Sequence, residues 1–223
     1  MGRSRVSPGA VGALVVLLMA ITVWAAGPFT PVGSMVVSRS AFTLTTLLDG
    51  TVLAVGAFPF ERRAEIFDPA TSLFTFTGSL VQGRRAPAVA LLPDGRVLVA
   101  GGLDSGFLAT SSAEIYSPAA RTFSPTAGPM TASRGGHTAT LLDDGRVLIV
   151  GGYRFNAPNS ALASAELFDP TTGRFTATGS MGTARSDHTA TRLADGRVLV
   201  TGGFNTMPGV GLTAAEIYNP ASG

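Results

Sequence analysis

The sequence predicts an all-β propeller of four-stranded blades, on three observations: a segment that returns four times, an Asp-Gly turn between apolar runs in each copy, and no apolar pattern of helical period beyond the N-terminal leader. The turn aspartates Asp49, Asp94, Asp144 and Asp195 are spaced by 45, 50 and 51 residues, near the period of about 40 to 50 that marks propeller blades. Arg39, Arg84, Arg134 and Arg185 each precede their aspartate by ten residues, and Glu65, Glu114, Glu166 and Glu216 recur after variable gaps.

The third copy is the fullest and gives the strands in order. Residues 138–142 and 146–150 are apolar, β-prone runs joined by Asp143-Asp144-Gly145, a hairpin signal that predicts a tight primed turn with Gly145 at positive φ. The second run, Arg146-Val147-Leu148-Ile149-Val150, is nearly continuous in apolar residues, as expected of a strand covered on both faces. Gly151-Gly152 ends it, where a second backbone comes too close for a side chain. After a variable loop, Ala165-Glu166-Leu167-Phe168 stops at Asp169-Pro170, and Phe175-Thr176-Ala177-Thr178 supplies a fourth strand.

These residues resemble the kelch family of β-propellers, which has a glycine doublet after the second strand and an aromatic residue in each of the last two strands. The resemblance spans 29–223 in four copies. Two departures stand out. The first copy has Gly56-Ala57 where the others have two glycines, which predicts an irregular first blade, and the family's fourth-strand Trp is replaced by Phe74, Phe123 and Phe175.

The chain's two ends are complementary. Residues 29–35 match the fourth strands at 74–80, 123–130 and 175–181, and 219–223 match the turn at 169–173 that precedes a fourth strand. The last blade is therefore either closed by the N-terminal strand, which would remove an exposed sheet edge, or left open by truncation.

The leader has Arg3 and Arg5, an uncharged apolar stretch over 11–26, then Gly27-Pro28, the pattern of a signal peptide. Cleavage after Ala25 or after Gly27 leaves small or short residues at the recognition positions. The alternative is an uncleaved anchor, since the 16 residues of the apolar stretch fall between the length of a signal-peptide core and the roughly 20 residues of a spanning helix. The expected domains are a signal peptide over 1–26 and a propeller over 27–223. The expected localisation is secreted or periplasmic, or else anchored by the N-terminal segment, the chain's only route to a membrane. The chain has no Cys, which excludes disulfides, thiol chemistry and a lipidated N-terminal cysteine.

Charge argues against nucleic acid. All 16 basic residues are Arg; without the two in the leader, 14 face 14 acidic residues, so the domain is neutral and lacks the basic face that phosphate binding needs. Charged residues make up 13% of the chain, about half the usual ~25%, as buried strands require.

No catalytic constellation is visible, and the chain reads as a non-enzyme without cofactor or metal. His137 and His188 occupy one repeat position, where Phe42 and Pro87 stand in the other copies, so packing explains them better than catalysis. The recurring Arg and Glu are read as charge-assisted pairs that assemble the ring, since a catalytic dyad is normally unique. Gly179-Ser180-Met181 is the end of a fourth strand, repeated at Gly33-Ser34-Met35, and is no nucleophile elbow. Phosphate loops and Trp-dependent Asp boxes are absent, and the copper chemistry of galactose-oxidase-like kelch enzymes, which needs a Cys-Tyr crosslink, is closed to this chain.

Binding is expected where the copies differ, in the loops between second and third strands, which emerge on one face. Tyr153 and Phe204 follow glycine doublets, a position apolar in every copy, and read as packing anchors. The binding candidates are Phe107, Arg154, Phe155, Asn156, Asn159 and Asn205, and the expected partner is a protein or a glycan. Two functions follow: an exported binding scaffold, or a fragment of a larger secreted carbohydrate-active enzyme or adhesin.

Overall fold

The computed structural model describes residues 28–154, 161–206 and 209–223. The leader, and with it the export expectation, lies outside the described residues. Fifteen strands and no helix are found among them. Blade one is β1 (Thr43–Thr46), β2 (Val52–Val55), β3 (Arg63–Asp68) and β4 (Leu73–Ser79). Blade two is β5 (Ala88–Leu91), β6 (Val97–Ala100), β7 (Ala113–Ser117) and β8 (Thr122–Pro125). Blade three is β9 (Thr138–Leu141), β10 (Val147–Val150), β11 (Ala165–Asp169) and β12 (Arg174–Thr178). Blade four has three strands, β13 (Thr189–Arg192), β14 (Val198–Thr201) and β15 (Ala215–Tyr218). Each sheet is an antiparallel meander in chain order, and first strands lie beside one another in the sequence β1, β5, β9, β13.

The core consists of three layers between blades. Alternate residues of each second strand face opposite neighbours, which explains its continuous apolar run. In β6, Val97 and Val99 pack towards blade one with Leu53, Val55 and Leu80, while Leu98 and Ala100 pack towards blade three with Val147 and Ile149. Leu148 and Val150 then meet Val198 and Val200 of blade four. Blade four has no neighbour beyond it among the described residues: Val198 and Val200 are buried, but Ile217 on β15 is 50% exposed.

The aromatic residues of the third and fourth strands pair within each complete blade, Phe67 with Phe74, Tyr116 with Phe123 and Phe168 with Phe175, at 4.7 to 4.9 Å between ring centres. Phe supplies the ring that Trp gives the family pattern, so that substitution leaves the blade intact. The Tyr116 hydroxyl also bonds Thr77 of the preceding blade at 2.6 Å, and Tyr218 bonds Thr178 at 2.9 Å.

Three local features refine the sequence reading. The Asp-Gly turns are not two-residue primed turns. Gly145 donates to Leu142 O, Leu142 donates to Arg146 O, and only Gly145 is left-handed (φ +84°). This is a type I turn closed by a glycine bulge, which suits Pro93 at the first central position in blade two. In each copy the aspartate accepts the amide two residues on, as in Asp144 from Arg146 at 3.0 Å.

The first blade is irregular at two points. A bulge separates Arg63 from Glu65 in the β3–β4 pairing. Gly102, Gly152 and Gly203 are left-handed (φ +83° to +96°), whereas Ala57 in the same position is not. Ala57 nevertheless keeps the bond of its counterparts, donating to Arg84 O at 3.1 Å as Gly102 donates to Arg134 O at 2.9 Å.

The last blade is open. Residues 28–35 form no strand, Phe29 is 90% exposed, and β15 has no outer partner among the described residues. Of the two endings the sequence allowed, closure by the N-terminal strand is therefore not seen. Instead the Gly33 amide donates to Ser72 O in the β3–β4 turn of blade one at 2.8 Å. A side chain at Gly33 would meet that turn, as one at Gly179 would meet Gly223 in blade four, so Gly33 sits where the fourth strand of a blade preceding blade one would run.

Candidate functional site

The repeated polar residues form one structural unit, built four times. Arg134 and Glu166 are 0% and 1% exposed, with Nη2 to Oε1 at 2.9 Å. Arg134 also donates to the carbonyls of Gly151 (2.7 Å) and Ser164 (2.9 Å), and Glu166 accepts the amides of Thr131 (2.7 Å) and Ala132 (3.3 Å). The pair thus fastens the linker from blade two to β11 and to the end of β10. Arg39–Glu65, Arg84–Glu114 and Arg185–Glu216 repeat the arrangement at 2.7 to 2.9 Å, with amides 36 and 37, 81 and 82, and 182 and 183 on the carboxylates. Burial pulls the Arg84 and Arg134 guanidinium groups below their usual range, while their glutamates act in the opposite sense. A buried ion pair that also binds backbone amides and carbonyls holds architecture together.

The histidines are packing groups at blade junctions. Burial, reinforced by Arg134, depresses His137 to about 3, and burial with Arg185 depresses His188 to about 4, so both rings are neutral near pH 7. A side chain at Gly101 would lie 2.5 Å from the His137 ring, and one at Gly151 would lie 2.7 Å from the His188 ring. The glycine doublet thus makes room for the next blade's imidazole. His188 Nε2 also meets the Thr138 hydroxyl at 3.1 Å. Among the described residues no three His, Asp or Glu side chains converge to hold a metal.

The second-to-third strand loops and the linkers entering the first strands share one face. In blades two to four the loop begins by pairing with its own blade's linker, Leu103 with Arg85, Tyr153 with Gly135 and Phe204 with Ser186, and in blade one Phe58 N donates to Ser40 O at 2.8 Å. Tyr153 and Phe204 are accordingly half-buried anchors. The linker residues Ala41, Ala86, Gly136 and Asp187 are all left-handed (φ +46° to +58°), and Asp187 N donates to Gly136 O across the blade boundary at 2.8 Å. A side chain at Gly136 would strike both the Asp187 carboxylate and the Tyr153 ring, so glycine there lets the three groups meet. Loss of solvent raises the Asp187 carboxyl above its usual range, and burial raises the Tyr153 phenol, with Asp187 adding to that effect and Arg85 opposing it.

The predicted binding residues divide into three groups. Phe107 is 42% exposed at the tip of the blade-two loop and packs against Phe58 and Phe60 of blade one. Arg154 and Asn205 are exposed on the loops of blades three and four. Phe155, Asn156 and Asn159 lie outside the described residues. Four further groups of this face, Phe58, Phe60, Arg85 and Asp187, escaped the sequence reading. Two carried a signal: Arg85 follows the repeated Arg only in blade two, and Asp187 replaces the Ala or Gly of the other copies.

A family model for the Kelch motif matches residues 134–182, from the buried arginine of blade three through β12. No curated protein sequence matches the chain.

Proposed function

We propose that this chain of Kelch-type blades is an exported, non-catalytic scaffold that binds a protein partner through its loop face. A Kelch motif points to a protein-binding propeller. The observation that carries the site is the division between repeated and unrepeated residues. The recurring Arg–Glu pairs are committed to joining strands and the recurring Asp–Arg pairs to the hairpin turns, whereas Arg154, Asn205 and Phe107 are unrepeated and exposed on one face. Loops on a rigid frame are the usual place for recognition. Export rests on the basic, apolar, small-residue order of the leader.

Crosslinking on intact cells followed by mass spectrometry identifies the partner, and calorimetry with Arg154→Ala and Asn205→Ala tests the face. Binding should weaken about tenfold or more with the fold intact; unchanged affinity in both variants overturns the assignment. A glycan array tests the other ligand class.

A second reading makes this propeller the carbohydrate-facing part of a larger secreted enzyme or adhesin. It is favoured by the outer edge of β15, which is unpaired among the described residues and to which a further strand can add. The intact mass of the secreted protein separates the two readings.

A further inference from the structure

Blade one meets blade two on the loop face through three phenylalanines: Phe58, at the apolar position that Leu103, Tyr153 and Phe204 fill in the other copies, and Phe60 and Phe107, which belong to no repeat position. Phe60 and Phe107 pack edge to face, 5.0 Å apart at 81°, and Phe58 lies 6.2 Å from each. Phe58 and Phe107 are still 45% and 42% exposed, and Leu108 beside them is 51% exposed. Single exposed apolar residues are ordinary, but a contiguous group marks an interaction surface.

The backbone adds a second, independent sign. Phe60 (φ +87°) and Phe107 (φ +59°) are left-handed, a conformation that bulky side chains rarely adopt and that concentrates at binding sites. Both are locked in place. Phe60 N donates to Ala57 O at 2.6 Å, Phe107 N donates to Asp104 O at 2.9 Å, and the Asp104 carboxylate accepts the amides of Gly106 and Leu108 at 2.8 and 3.0 Å. Gly or Asn would adopt these angles more easily, and polar side chains would remove the exposed patch. Packing between the two blades brings the rings together, yet it leaves Phe58 and Phe107 nearly half exposed.

Arg85 supplies the third component. Its guanidinium lies 5.7 Å from the centre of the Phe58 ring, and it has no ion pair among the described residues, whereas its buried neighbour Arg84 is paired with Glu114 and bonded to the carbonyls of Gly101 and Ser112. A cation beside an apolar patch is complementary to a segment that offers an apolar side chain next to a carboxylate. A sugar fits less well, because its hydroxyls need several aimed polar groups and Asp104 is occupied by its own loop.

We propose that Phe58, Phe60, Phe107 and Arg85 form a preorganised docking site for a short segment of a protein partner, with an apolar side chain on the rings and an adjacent Asp or Glu on Arg85. This rests on the protein-binding reading above and adds to it the chemistry of the partner. Fixing the rings before binding lowers the ordering cost.

The test selects a displayed library of random ten-residue peptides on the full chain, then measures the best peptide by fluorescence anisotropy against variants of confirmed melting temperature. The expected consensus is an apolar residue beside Asp or Glu. Phe107→Ala and Phe58→Ala should each weaken binding at least tenfold, and Arg85→Gln should weaken it and abolish its salt dependence. Phe107→Asn guards against misfolding: it should fold at least as well as the parent and still lose the peptide. Peptides without the apolar-acidic pairing, or equal binding by all variants, overturn the proposal. If the peptide responds only to Arg154→Ala or Asn205→Ala, this site is wrong while the loop-face reading stands. If neither peptides nor a crosslinked protein partner bind, both fail. A glycan whose binding is lost in Phe107→Ala also overturns the proposal.

Discussion

Arg134 and Glu166 face each other at 2.9 Å with neither side chain in contact with bulk water, and between them they hold two amides of the incoming linker and two carbonyls of the blade. Removing one member leaves a buried charge without its partner, which is the costly case. Arg134→Leu or Glu166→Gln should lower stability by about 3–5 kcal/mol, read as a fall in denaturant midpoint. The equivalent change at Glu216 should cost less, about 1–3 kcal/mol, because that side chain is 29% exposed.

A doublet glycine and a turn glycine should separate collision from backbone strain. At Gly101 (φ +58°) an added Cβ would lie 2.5 Å from the His137 ring and 2.6 Å from Arg134 O, so Gly101→Ala should cost about 3 kcal/mol or more. At Gly50 (φ +83°) the space is open, and Gly50→Ala should cost only the strain of a left-handed alanine, about 1–2 kcal/mol. Thermal melts of the two variants make the comparison.

Acid should weaken the fold before its carboxylates protonate. His137 and His188 have folded pKa values of about 3 and 4 against 6.5 unfolded, so between pH 6.5 and about 4.5 the unfolded chain binds protons that the native chain refuses. Stability therefore falls as pH drops, by up to about 1.4 kcal/mol per pH unit for each histidine. Glu216 works at lower pH. Burial would raise its carboxyl, but the Gly182 and Thr183 amides and Arg185 bring it below its usual range, so its contribution is present above about 4.5 and is lost as pH falls through the depressed value. A His137→Gln, His188→Gln double variant should flatten the upper window in denaturant titrations at stepped pH.

Protection from hydrogen exchange should follow burial along the blades. All four residues of β6 and of β10 are buried, whereas β13 and β15 have no buried residue. Amides of β13 and β15 should exchange by local opening, well before those of β6 and β10. Uniform protection across the four sheets would show that blade four is covered in solution.

The fold was legible because the repeat wrote it four times: the Asp-Gly turns marked the hairpins, the continuous apolar runs marked the second strands, and glycine doublets ended those strands in three of the four copies. The finer turn type was not, since Asp-Gly suits both a primed turn and a type I turn with a glycine bulge, and the ladder register decides between them. The site was only partly legible. Phe107 stood out as an unrepeated loop aromatic, but its contact with Phe58 and Phe60 joins two blades about 50 residues apart in the repeat, a relationship that no local pattern encodes. Arg85 was passed over beside Arg84, whose place ten residues before Asp94 marked it as the repeated arginine, and the sequence does not show that Arg85 lies over the Phe58 ring.

The central claim is that the repeated Arg–Glu pairs hold the blades together while loop-face residues bind. The most direct measurement takes a partner recovered by crosslinking and records Kd and melting temperature together for Glu166→Gln, Arg85→Gln, Phe107→Ala and Arg154→Ala. The expected result is that Glu166→Gln lowers the melting temperature and leaves the Kd of the folded fraction unchanged, while the three loop-face variants raise Kd at least tenfold with little thermal effect. Loss of affinity in folded Glu166→Gln, with all three loop-face variants binding normally, would contradict it.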